Sequence, residues 1–179
     1  MKNTKNITTI SMFVGLVIVL QIIATFINFG GFPITLTLIP IIIGGAMYGE
    51  SVGAILGTAF GVVVAIMVIT GADPSGATML ASHPIITISV CVLKGTLAGL
   101  VSAFTYRKLK DKNKLAAIIT ASALAPIVNT GTLTLVIILF FEGSFMTFIA
   151  LFLTINFAIE LLIDILLAPA LLRVIDSQK

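Results

Sequence analysis

Long apolar runs fill almost the entire chain and constrain its fold more than any other feature. Hydrophobic residues make up 59% of the 179 residues and charged residues only 9%, with a mean hydropathy of +1.23. A soluble domain carries about 25% charged residues, so this composition excludes one. A helix needs about 20 apolar residues to cross a bilayer, which leaves room for about six spans. We therefore predict an all-α integral membrane bundle of six transmembrane helices that forms a single domain over residues 1–179.

The apolar runs between glycines, prolines and charged residues mark the candidate spans. They cover residues 8–28, 36–49, 51–71, 85–106, 115–141 and 145–172. The second run is short for a crossing, and the Gly30-Gly31-Phe32-Pro33 segment ahead of it predicts an irregular first loop. The first run lacks a small-residue cleavage site and is expected to be retained as a helix.

The lysines and arginines give the bundle an orientation. All of them except Lys94 precede the first predicted span, lie in the 107–114 loop or follow the last span. The loops expected on the other side, at 29–35, 72–84 and 142–144, contain none. Because basic loops stay in the cytoplasm, both termini are predicted to be cytoplasmic. The pI near 9.2 thus has a topological explanation, and no nucleic-acid partner is predicted.

Lys94 is the one basic residue inside a predicted span, roughly 14 Å deep by helical rise. An ammonium at that depth must face a partner, a water-filled cavity or a ligand anion, so Lys94 is a candidate site residue. The structural alternative is a buried salt bridge with Glu160.

The fifth predicted span contains Pro126, followed by Asn129, Thr130 and Thr132. Proline removes a helical hydrogen bond, so we predict an interrupted helix that exposes polar groups to a cavity. Asn129 lies about 22 Å from the inner end, in the same zone as Lys94. Alternatively, the proline produces only a kink, which threonine hydroxyls satisfy without any ligand.

The sixth predicted span carries a polar stripe, because Asn156, Glu160 and Asp164 recur every four residues. Asn156 and Glu160 are candidates for a pocket at the depth of Lys94. Asp164 lies deeper, and we expect it to have a structural role or to contact a partner subunit near the inner face.

Small residues spaced four apart indicate close helix packing. Gly53, Gly57 and Gly61 lie on the third predicted span, and Gly95 and Gly99 on the fourth. Ser11 and Gly15 on the first span form a similar pair, which could receive a helix from another subunit.

The remaining reactive residues define no catalytic or metal site. His83, the only histidine, precedes Pro84 at the outer mouth and could close a pocket or lie on the surface without a role. No second histidine or cysteine accompanies it as a metal ligand, and the single Cys91 forms no internal disulfide. No phosphate-binding glycine motif is present, so no cofactor or ATP site is predicted in this chain.

The order of these motifs resembles the substrate-binding S components of energy-coupling factor (ECF) transporters, small six-helix proteins that capture vitamins for bacterial uptake. The resemblance covers nearly the whole chain. The segments that carry it are Pro33 to Gly44, Tyr48-Gly49, the Gly53-Gly57-Gly61 helix, Lys94-Gly95, Ala98-Gly99 and Pro126 to Gly131.

The resemblance implies a substrate-binding subunit in a bacterial plasma membrane. It works with a separate membrane coupling subunit and two ATPase subunits, and ATP acts on those partners. S components dock on the coupling subunit through small residues four apart on the first helix, which here would be Ser11 and Gly15, with Ala24 as an alternative contact.

The Pro-Ile-Val-Asn-Thr-Gly segment resembles the branch assigned to pantothenate. This implies that Lys94 binds the carboxylate and that Asn129, Thr130 and Asn156 bind the polar body. Glu160 and His83 complete the candidate set. The lack of tryptophan and the two tyrosines near inner span ends disfavour a large flat ring such as riboflavin or folate. If Glu160 neutralises Lys94, a pyridoxine-like or hydroxymethylpyrimidine compound fits better.

Two other classes compete with this interpretation. One is a self-sufficient secondary transporter, in which Lys94, Glu160 and Asp164 relay protons. The other is a membrane enzyme, which ranks lower because the sequence shows no nucleophile–base pair and no metal cluster.

Overall fold

The computed structural model describes residues 2–26, 28–29, 32–33, 36–141 and 155–177, with the backbone alone at 2–6, 25–26, 28–29, 32–33 and 155–156. These residues form seven helices and one short hairpin. In chain order the elements are α1 (Lys2–Phe26), β1 (Asn28–Phe29), β2 (Phe32–Pro33), α2 (Leu38–Tyr48), α3 (Glu50–Thr70), α4 (Pro74–Ser82), α5 (Pro84–Leu109), α6 (Lys114–Phe140) and α7 (Ile155–Ser177).

Four of these helices are long and apolar enough to cross a bilayer. These segments are Ile7–Ala24, Glu50–Thr70, Pro84–Leu109 and Lys114–Phe140. The helical membrane bundle predicted from composition is confirmed for the described part of the chain. Part of the predicted sixth span, at 145–154, lies outside the described residues. Six crossings and cytoplasmic termini stay predictions.

Helices α3 and α5 touch through their glycines. Gly57 packs on the backbone of Gly95, and Gly53 packs on that of Gly99. A Cβ atom built on Gly57 would overlap the carbonyl oxygen of Gly95. Such direct backbone contact requires residues without a side chain, so the predicted packing role of these glycines is confirmed.

Helix α6 is continuous from Lys114 to Phe140 and runs through Pro126, so the predicted interruption is wrong. Hydroxyl groups further along the helix bond within it. Thr132 Oγ1 donates to the Val128 carbonyl and Thr134 Oγ1 to the Thr130 carbonyl, each at 2.7 Å. Pro126 lacks the N–H that would bond to the Ser122 carbonyl, and the helix continues past this missing bond.

One end of the bundle gathers the charged side chains. Arg107 Nη2 lies 3.0 Å from Glu50 Oε1, which ties α5 to α3, and Lys114 Nζ lies 2.8 Å from Asp176 Oδ1, which ties α6 to α7. A surface pair such as Lys114–Asp176 contributes only about 0–1 kcal/mol. The two pairs mark the level at which α3 and α6 begin and α5 and α7 end.

The opposite end carries the hairpin and α4. Asn28 pairs with Pro33 and Phe29 with Phe32, where the sequence predicts an irregular first loop. The region predicted as a loop at 72–84 contains α4. Asp73 caps this helix by accepting a hydrogen bond from the Gly76 N–H at 3.1 Å. A capping aspartate followed by proline at the first helical position favours a helix start, which explains the difference.

Candidate functional site

Three packed helices each place a polar side chain at one level of the bundle. Lys94 on α5, Asn129 on α6 and Glu160 on α7 all lie about 22–24 Å from the charged end, counted by helical rise. Helix α6 packs against both α5 and α7. By this count the three side chains lie at a similar level of the bundle, where the hydroxyl groups of Thr58 and Thr96 also meet at 2.8 Å.

Lys94 is half-buried, and its ammonium lies over an aromatic ring. Nζ is 5.8 Å from the ring centroid of Phe60, a buried residue of α3. This distance is within the range of a cation–π contact. Among the residues that the structure describes, the ion pairs are the two at the charged end, so the alternative Lys94–Glu160 salt bridge is not formed.

Asn129 is 5% exposed, and its Oδ1 atom receives no hydrogen bond from any described residue. A buried acceptor without a donor is unfavourable by about 1–3 kcal/mol, so such an atom marks a place where a donor is expected. Thr130 is half-buried beside it, and its carbonyl accepts the Thr134 hydroxyl.

The polar stripe of α7 faces the bundle interior. Glu160 is 5% exposed and Asp164 only 1%. The buried face of α7 continues below them with the apolar residues Ala168, Leu171 and Ile175. The side chain of Asn156, the first predicted member, lies outside the described residues. Of the two roles predicted for Asp164, its burial leaves the structural one and excludes a contact with a partner subunit at the surface. Its Oδ2 atom also has no hydrogen-bond donor in the described part of the chain.

His83 is separated from the other candidates. It is exposed at the junction of α4 and α5, about 16 Å above Lys94 along α5. Its ring meets that of Phe141 edge to face, with centroids 4.9 Å apart and planes at 87°. His83 therefore joins the end of α6 to the α4–α5 corner, at the mouth of the bundle.

Ser11 and Gly15 are both exposed on α1. A Cβ atom built on Gly15 would meet nothing within 4 Å. Gly15 lines an apolar depression of about 550 Å³ near the charged end, whose other walls include Met12, Leu16, Met47, Tyr48 and Val174. Ala24 is only 3% exposed, so it is not available as the alternative docking residue.

A buried polar contact that the sequence analysis missed joins three helices. Thr37 Oγ1 donates to Gln21 Oε1 at 2.9 Å, and Gln21 Nε2 approaches Met67 Sδ at 3.9 Å. These residues are isolated among apolar neighbours on α1, α3 and at the start of α2, so no periodic pattern could have paired them. The contact fixes the point where the chain enters α2 after the hairpin.

The described residues contain no group of three histidine, cysteine, aspartate or glutamate side chains that could hold a metal ion. The arrangement they do form is a bundle of apolar spanning helices with charged and amide groups at one interior level. This defines a multi-pass membrane protein with a polar site among its helices.

The chain belongs to the ECF transporter substrate-specific component family, whose model matches residues 5–172. Such components are transport subunits and not enzymes, and the family implies a small-molecule substrate and partners in a membrane complex. The resemblance found in the sequence is confirmed at this level, while the pantothenate-type branch stays a prediction. Comparison with curated proteins gives no match.

Proposed function

We propose that this subunit binds pantothenate on the outer side of a bacterial plasma membrane and delivers it through a coupling subunit and two ATPase subunits. The observation that carries the proposal is Lys94, a half-buried ammonium at membrane depth with no carboxylate partner among the described residues. A carboxylate ligand would supply the missing charge.

In this proposal six helices cross the membrane and both termini are cytoplasmic. The charged end, with Arg107 and Lys114, is then the inner face, as expected for basic segments. The hairpin, α4 and His83 lie on the outer side, where substrate enters.

The site residues take complementary roles. Lys94 binds the carboxylate, and Asn129, Thr130 and Asn156 bind the hydroxyl and amide groups. Glu160 lies at the same level, and His83 lies at the entrance. A small hydroxylated acid suits this set, because pantothenate carries a carboxylate at one end and hydroxyl groups at the other.

The positions of the two tyrosines favour a small substrate over a flavin or pterin, because a large flat ring would need aromatic side chains to stack on. Tyr106 is buried at the charged end, and Tyr48 lies in the depression beside α1, so neither tyrosine reaches the level of Lys94. Phe60 is the aromatic ring placed beside Lys94. Pyridoxine-like and hydroxymethylpyrimidine compounds are the alternatives, since Glu160 and Asp164 bring acidic groups close to this level.

The coupling subunit is proposed to dock at Ser11 and Gly15. Three properties support a docking role for this surface. Gly15 has no side chain and no neighbour within 4 Å of a Cβ atom, so another helix could approach closely. Gly15 also lines the apolar depression, and both lie near the proposed inner end. Ser11 Oγ donates to the Ile7 carbonyl at 3.0 Å, so its polar group is already satisfied in an apolar contact.

Uptake of labelled pantothenate into vesicles tests this function and its partners together. We expect uptake only when the chain is reconstituted with the coupling subunit and both ATPases, and only with ATP inside. Gly15→Leu should abolish most of this uptake and leave pantothenate binding by the isolated chain unchanged, because the new side chain fills the docking surface.

Ile22→Phe is the matched control, since it adds bulk to an exposed position of α1 outside the depression. Full uptake by Gly15→Leu would place the docking surface elsewhere. Uptake by the chain alone, driven by a proton gradient and insensitive to ATP, would identify a secondary transporter and contradict the proposal.

A further inference from the structure

Two buried acceptor atoms on neighbouring helices have no donor among the described residues. They are Oδ1 of Asn129 on α6 and Oδ2 of Asp164 on α7. The two residues are 5% and 1% exposed, and α6 packs against α7. Buried acceptors without a donor on two packed helices are unusual, because nearly all buried polar atoms are paired.

The two side chains lie at nearly the same height. Counted from the Lys114–Asp176 ion pair, Asn129 is about 22 Å up α6 and Asp164 about 18 Å up α7. Side chains lean toward the N-terminus of their own helix. The helices are antiparallel, so Asn129 leans toward the charged end and Asp164 away from it, which reduces the difference in height.

No residue in the described part of the chain donates a hydrogen bond to either atom. The Lys94 ammonium lies over Phe60 on the α3 side, and Glu160, one turn above Asp164 on the same face of α7, is itself acidic. A buried carboxyl group and a buried amide oxygen in an apolar interior both require hydrogen-bond partners.

We infer that Asn129 and Asp164 form an acceptor end of the substrate site, which receives the hydrogen-bond-donor end of the ligand. The ligand class is a small molecule with hydroxyl, amide or amino donors at one end and an acid at the other, which Lys94 binds. The inference rests on the proposed function and adds Asp164, which the sequence analysis placed outside the pocket.

Ligand-free stability is the first half of the test. Asp164→Leu and Asn129→Leu each remove an acceptor that is unpaired without ligand, so each should raise the Tm of the detergent-purified chain by about 3 °C. Asp176→Asn, which affects an exposed ion-paired carboxylate, should not raise it. A lowered Tm in both leucine variants would show that the acceptors are structural and would overturn the inference, even if pantothenate binds.

Ligand discrimination is the second half. The wild type should bind pantothenate about tenfold or more tightly than its analogue with both hydroxyls methylated, because each lost donor leaves an acceptor unpaired. Asp164→Asn should reduce this preference severalfold, whereas Asp176→Asn should keep it. An unchanged preference in folded Asp164→Asn would overturn the inference and leave the proposed function intact. Raised Tm values in the leucine variants, with no pantothenate binding by the wild type, would support the acceptor end and reject pantothenate.

Discussion

Gly57→Leu is expected to yield no folded protein. Even the first carbon of a side chain at this position would overlap the carbonyl oxygen of Gly95, and the next nearest atoms also belong to backbone. Backbone cannot move aside as a flexible side chain can, so α3 and α5 must separate. We expect a loss of more than about 3 kcal/mol, above the usual range for overpacked sites. Size-exclusion profile and thermal melting in detergent measure it.

Gly15→Leu is the matched control, because it makes the same chemical change where no atom lies within 4 Å of the new Cβ. It should fold with a Tm close to that of the wild type. A folded, monodisperse Gly57→Leu protein with wild-type stability would show that the α3–α5 contact is looser than described.

Lys94→Ala is expected to weaken pantothenate binding about tenfold or more, the range for a lost hydrogen bond to a charged group. The fold should be largely retained, because no described carboxylate within ion-pair distance depends on Lys94. Isothermal titration of the purified variant measures the change in Kd.

Lys114→Ala serves as the control for Lys94→Ala. It removes a lysine that pairs with Asp176 at the charged end, far from the site, and should leave Kd unchanged. Wild-type affinity in a folded Lys94→Ala protein would remove Lys94 from the site and, with it, the argument for a carboxylate ligand.

The packing of this fold was predictable where the pattern is periodic. Glycines four apart at Gly53, Gly57 and Gly61 occupy one face of a helix, and the structure presses two of them onto Gly95 and Gly99. The concentration of basic residues likewise predicted a charged end, where Arg107 and Lys114 now form ion pairs. Repeats along one helix are local, so a sequence displays them directly.

Features that depend on tertiary context were harder to predict. Proline at 126 predicted a broken helix, but α6 continues through it. The depth of Asp164 left a structural role and a partner contact open, and only the structure shows that the face it shares with Glu160 turns into the bundle. Gln21 and Thr37 meet from different helices, and nothing local in the sequence pairs them.

The common level of Lys94 and Asn129 stays a prediction that rests on helical rise, which converts sequence distance along α5 and α6 into depth. The lack of a Lys94–Glu160 ion pair was not predictable, since rotation about the helix axes decides which side chains face one another. Level follows from counting residues, whereas orientation follows from packing between helices.

The most direct test of the central claim is thermal stabilisation of the purified chain by a panel of water-soluble vitamins, without any partner subunit. A ligand at about one hundred times its Kd adds about 2.7 kcal/mol, which a melting curve resolves. We predict a selective shift with pantothenate. A selective shift with another vitamin would keep the class of binding subunit and replace the substrate, whereas no shift with any vitamin would contradict the account.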